Sequence, residues 1–128
     1  MKVLVVEPDR ILARTYVTAL ESAGHHVSHV VSAQAAVRAA DAGVPDVAVV
    51  SLGIARHNAA EFLYEFKSYP EWQSVPVVLI TPRLDYELGD QSILQNQLGV
   101  RAVSVRSQIT LTQLCDVVAK VSAEQADE

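Results

Sequence analysis

The stretch Val44–Gly53, VPDVAVVSLG, sets four apolar residues, Val47 to Val50, between a Pro-Asp turn and a serine-glycine exit. A short, unbroken apolar run bounded by chain breakers reads as a strand buried on both faces, because a half-exposed strand would alternate. The same grammar recurs on either side of it. Val3 to Val6 is closed by Glu7-Pro8, His26 to Val31 follows a glycine, Val77 to Ile80 follows Val75-Pro76, and Ala102 to Val105 ends near the last third of the chain. Five strands are therefore expected.

Between these runs the apolar period changes from two to that of a helix. Asp9 is placed to cap a helix carrying Leu12, Tyr16, Ala19, Leu20 and Ala23, with Gly24 as its stop. Ser32 is placed to cap an alanine-rich helix running to about Ala42, before Gly43 and Pro45. Asn58 precedes a helix with Phe62, Leu63 and Phe66. A further one carries Leu84, Leu88, Leu94 and Leu98 and ends at Gly99. Thr110 opens the last, with Leu111, Leu114, Val118 and Val121 as its inward stripe. Strands alternating with helices give right-handed crossovers, and hence an α/β domain with a doubly wound parallel sheet covered on both faces. Residues 1–122 form that domain, and the polar AEQADE segment is read as a tail over 123–128 or the start of a linker.

The chain has 128 residues, half of them hydrophobic, which suffices for one domain with a real core. Ten Lys and Arg against 15 Asp and Glu give a net charge of −5, and the basic residues are scattered. That balance argues against nucleic-acid contact, which needs clustered cations. The opening MKVLVVEPDR turns polar too soon for a signal peptide or a membrane span, so no membrane insertion and a cytoplasmic setting are expected. Cys115, the single cysteine, excludes an intramolecular disulfide and reads as a small core hydrophobe.

In doubly wound folds, chemistry gathers at the carboxyl ends of the strands, which here means Glu7, Ser51, Thr81 and Arg106. Ser51 lacks the first glycine of a G-x-S-x-G elbow, and His57 has no third group to orient it, so a hydrolase is disfavoured. No glycine follows the first strand to cradle a phosphate, which disfavours nucleotide binding. His25, His26 and His29 have no carboxylate at ligand spacing, so neither a metal nor a cofactor is expected, and they read as part of a half-exposed edge strand. Tyr64, Tyr69 and Trp72 are divided between core packing and partner anchoring.

The segments KVLVVEPDRILARTYVTALESAGHHV, PDVAVVSLGIARHNAAEFLYEFK, PEWQSVPVVLIT and LGVRAVSVR resemble the receiver domain of bacterial response regulators, over nearly the whole chain. The resemblance implies a flavodoxin-like sheet in the order 2-1-3-4-5. It also implies a site in which an aspartate ending the third strand takes a phosphoryl group, with help from an acidic pair, Mg²⁺, a Ser/Thr and a Lys. Mapped onto this chain, Ser51 stands at the acceptor position. Glu7 matches the first acid, and Pro8 takes the second acid's place. Thr81 matches the hydroxyl, Arg106 replaces the lysine and Ser107 the proline after it. Val103 stands at the position of the switch aromatic. Ala55 and Ala59 replace a proline and a glycine, and the interval from Thr81 to Gly99 is longer than usual.

These departures act together. A carboxylate is ionised at neutral pH, whereas a serine hydroxyl needs a general base. Mg²⁺ favours one or two carboxylates, and Glu7 is the only obvious one. A guanidinium is bulkier and more fork-like than an ammonium. The expectation is an atypical, non-phosphorylatable receiver without enzymatic activity, acting as a protein interaction module in bacterial signalling or regulation. Its partner is another protein or a second copy meeting the fourth helix, fifth strand and fifth helix. Two alternatives stand beside it: an anion- or ligand-responsive switch at the strand ends, and a residual phospho-receiver of a two-component system.

Overall fold

Val3–Val6 and Val47–Val50 lie side by side at the centre of one sheet in the computed structural model. The structure describes residues 1–32, 35, 38, 43–51, 67–68, 73–81, 100–105 and 109–126. Five strands pair in parallel: β1 (Lys2–Val6), β2 (His26–Val30), β3 (Val47–Ser51), β4 (Val77–Thr81) and β5 (Val100–Val105). Their spatial order is β2-β1-β3-β4-β5, the flavodoxin-like order expected.

Asp46, in the turn before β3, fixes the start of the central pair. Its carboxylate accepts from the Lys2 amide at 2.8 Å, and its own amide donates to the Lys2 carbonyl at 2.8 Å. From that clamp the register runs Val3 against Val47 through Val6 against Val50. Ser51 then pairs with Ile80, and Thr81 with Val105. A register shift between Val77 and Val78 leaves Arg101 as an extra residue in β5.

Alternate residues face opposite sides of a strand. Val3, Val5, Val47, Val49, Val78 and Ile80 accordingly share one face, where they form a core with Tyr16, Leu20, Leu114, Val118 and Val121. Leu4, Val6, Ala48, Val50 and Leu79 are buried too, so the central strands are covered on both faces, as their unbroken apolar runs require. β2 is half-exposed, as befits an edge strand.

Two helices supply the core's other wall. In α1 (Arg10–Ser22), Asp9 is the N-cap, its carboxylate accepting from the amides of Ile11 and Leu12 at 2.9 and 3.1 Å. Gly24 follows with φ of 98°, a left-handed conformation that glycine reaches without the clash a Cβ brings. The C-terminal helix (Leu111–Ala126) begins with a reciprocal capping box. The Gln113 amide donates to Thr110 Oγ1 at 3.1 Å, and the Thr110 amide donates to Gln113 Oε1 at 2.9 Å. Cys115 on this helix is half-buried, and its thiol donates to the Ala19 carbonyl at 3.5 Å, joining the two helices. Burial, and then the Asp116 carboxylate, push this thiol's pKa up, which suits a packing role.

The structure shifts some sequence-derived boundaries. β2 stops at Val30, one residue short of expectation, while β3 and β4 extend to Ser51 and Thr81 because ladder pairing continues through them. The last helix reaches Ala126, past the expected limit at Ser122, since Ala, Glu and Gln all favour helix. Ser32 Oγ accepts from the Ala35 amide at 3.1 Å, in keeping with the expected cap. The helices expected after Asn58 and around Leu84 to Leu98 lie outside the described residues. So do His57, Tyr64, Tyr69, Trp72, Ala55, Ala59, Arg106 and Ser107.

Candidate functional site

The register carries Glu7 and Ser51 to the same place. β1 and β3 are last paired at Val6 and Val50, and each of these two polar residues comes next in its own chain segment. Neighbouring parallel strands are about 5 Å apart, so both sit at the carboxyl end of the sheet's centre. Both are buried, Glu7 with 1% and Ser51 with 0% of its surface exposed. β4 brings Thr81 to the same edge, one residue beyond Ile80, the partner of Ser51.

Glu7 is held through three of its groups. Its amide donates to the Val30 carbonyl at 3.0 Å, and its Oε1 accepts from the Asp9 amide at 3.1 Å. Its carbonyl accepts from His29 Nε2 at 2.9 Å, which fixes the proton on that ring nitrogen. Pro8 donates no hydrogen bond, so the turn is closed by Glu7 reaching forward to Asp9. Asp9 in turn commits its carboxylate to the helix amides, so the two carboxylates have different roles.

Ser51 is in the opposite condition. Its Oγ is fully buried and makes no hydrogen bond among the described residues. A buried hydroxyl in that state costs roughly 1–3 kcal/mol of desolvation. Chemically the hydroxyl can accept or donate to an incoming polar group, but no histidine or lysine among the described residues is bonded to it as a base.

Glu7, Ser51 and Thr81 thus lie at one edge of the sheet. Val103 lies within β5, paired with Leu79, and Arg106 follows β5 outside the described residues. Among the described residues no three His, Cys, Asp or Glu side chains are grouped to hold a metal. Two polar features are not visible in the sequence pattern. One is His29, whose register position opposite Val5 carries it to the Glu7 carbonyl. The other is Lys67, which is buried and donates to the carbonyls of Gln73 at 3.2 Å and of Val75. Burial, and then the Arg101 charge, lower its pKa to about 8.

Comparison with known proteins agrees with this geometry. No protein-family model matches the chain. It is 25% identical over 116 residues to the KDP operon transcriptional regulatory protein KdpE of Escherichia coli K12, covering 85% of this chain and 50% of that protein. The chain therefore spans about half the length of this curated relative. Among solved structures, a sensor protein from Polaromonas sp. JS666 superposes with a TM-score of 0.84 at 18% identity, covering 97% of each chain. A CheY-like response regulator receiver domain from Methanospirillum hungatei JF-1 gives 0.83 at 15% identity, covering 98% of this chain and 96% of that one. The fold is the CheY-like flavodoxin fold.

Proposed function

We propose that this chain is a receiver-type domain that no longer takes up a phosphoryl group and serves in two-component signalling as a protein interaction module. The observation that carries the reading is Ser51. It occupies the end of β3 beside Glu7, fully buried, with a neutral hydroxyl where the receiver resemblance puts an ionised carboxylate. A neutral hydroxyl neither attacks phosphorus unaided nor adds charge to a Mg²⁺ site. Asp9, the nearest other acid in sequence, caps α1 through Oδ1. Valine at 103 and arginine at 106 stand where the receiver resemblance puts the switch aromatic and the lysine.

On this reading the domain works in the cytoplasm without a reaction of its own, and presents a constant surface to a protein partner or to a second copy. That surface lies on the side of β5, the fourth helix and the C-terminal helix. A second reading draws on the unbonded Ser51 Oγ: the strand ends bind a small anion, with Thr81 and Arg106 the further partners that the sequence offers. Melting temperature separates the two, since any ligand that binds only the folded state raises it by mass action. With Mg²⁺, phosphate and then beryllofluoride, the interaction-module reading expects no rise. A saturable rise with phosphate alone favours the anion seat. A rise that needs Mg²⁺ and beryllofluoride together overturns both.

A further inference from the structure

Outside this site, the structure carries a groove beside the edge strand. It has a volume of about 560 Å³, is open to solvent, and is lined by Arg10, Arg14, Val17, His29, Val30, Val31 and Ala35. Arg10, Arg14 and Val17 follow i, i+4, i+7 spacing, which puts them on one face of α1. Val30 and Val31 leave β2 along the floor, and Val31 is exposed. β1 separates β2 from β3, so the groove is two strands away from Ser51.

Three features of the groove point to one kind of ligand. First, among the described residues neither guanidinium has a hydrogen bond or ion pair and no acidic side chain lines the groove. The neighbouring Asp9 accepts from two α1 amides through Oδ1 and does not line the groove. Two such cations one helical turn apart stand out on a chain of net charge −5, and guanidinium forks match carboxylate and phosphate oxygens. Second, Val17, Val30, Val31 and Ala35 give the groove apolar walls, and its volume falls in the range of about 300–1,000 Å³ typical of small-molecule sites. Third, the His29 ring is fixed by its bond to the Glu7 carbonyl, so this side of the groove is preformed.

We infer that the α1–β2 groove binds a small amphipathic anion, with its acid group on Arg10 and Arg14 and its apolar body along Val17, Val30 and Val31. This site is independent of the fate of Ser51.

The test uses the full chain in its folded state and anilinonaphthalene sulfonate, an aromatic sulfonate that fluoresces when its rings leave water. Saturable one-to-one binding is expected, with backbone amide shifts confined to residues 10–17 and 29–31. Octyl phosphate should displace the probe, inorganic phosphate should do so only at far higher concentration, and octanol should not. Replacing both arginines (R10Q with R14Q) should weaken binding by about tenfold or more, since each tenfold step needs only about 1.4 kcal/mol of lost charge-assisted bonding. R14K, which keeps the charge but loses the fork, should weaken binding less than R14Q, and K120Q, which removes one charge elsewhere, should change little. Four results overturn the site: absence of saturable binding, binding indifferent to the arginine pair, shifts centred elsewhere, or inorganic phosphate competing as well as octyl phosphate. Unchanged circular dichroism in each variant separates lost binding from lost folding.

Discussion

Ser51 has exchanged water for the end of a buried strand without gaining a hydrogen bond among the described residues, and that sets the sign of its first test. Removing an unpaired buried hydroxyl also removes its desolvation penalty, while the void left by one oxygen is small. S51A should therefore be neutral or stabilising by up to about 1 kcal/mol, read as a raised midpoint at unchanged slope in urea unfolding. A loss of more than that would mean the hydroxyl serves a bound group. Lys67 gives the opposite case. Its ammonium donates to the carbonyls of Gln73 and Val75, so K67M leaves both without that donor and should cost roughly 1–3 kcal/mol. Its folded pKa of about 8 lies below the ordinary value of 10.5. Between those values the unfolded chain binds more protons, so Lys67's contribution makes stability rise from about pH 8 to 10.5 and fall as pH drops back. The difference in unfolding free energy between wild type and K67M should widen across that window. A difference that stays flat would contradict the depressed pKa.

Among the elements, the caps were the most legible part of the chain, because a cap is a local arrangement between neighbours in sequence. Asp9 and Thr110, each placed before an apolar helical stripe, announce helix starts; Asp9 caps α1 as expected, and Thr110 shares a reciprocal box with Gln113. The central strands were equally legible from unbroken valine runs. What could not be read locally depends on residues far apart in sequence. Lys67 is met by a chain that turns back at Gln73, and His29 reaches Glu7 only because β1 and β2 pair in one register. The Glu7–Ser51 neighbourhood was legible only through topology, since it needs β1 and β3 to be adjacent. The division of labour between Glu7 and Asp9 predicts a further contrast. D9A should cost roughly 0.5–2 kcal/mol, whereas D9N, which keeps a capping oxygen, should lose only a few tenths, both by urea unfolding. A loss in D9N as large as in D9A would mean the charge, not the cap, is what the fold needs there. T110A should likewise cost about 1 kcal/mol by removing one half of its box.

For the molecule as a whole, a parallel sheet built around β1 and β3 delivers every strand's carboxyl end to one edge, and the receiver resemblance assigns phosphotransfer to that edge. The chain keeps part of the scaffold for it, with a buried acid at Glu7, a polar residue ending β3, and a threonine ending β4. At the end of β3, where the receiver resemblance puts an acceptor carboxylate, it carries Ser51, and on the proposed reading the edge is therefore unreactive. The same sheet leaves β2 at its margin, beside the arginine-lined groove proposed to bind an amphipathic anion. Loss of phosphotransfer is tested most directly by intact mass after incubation with a small-molecule phosphodonor and Mg²⁺, beside an S51D variant treated identically. The natural chain should keep its mass unchanged. A stable gain of one phosphoryl group on it would contradict a silent acceptor position.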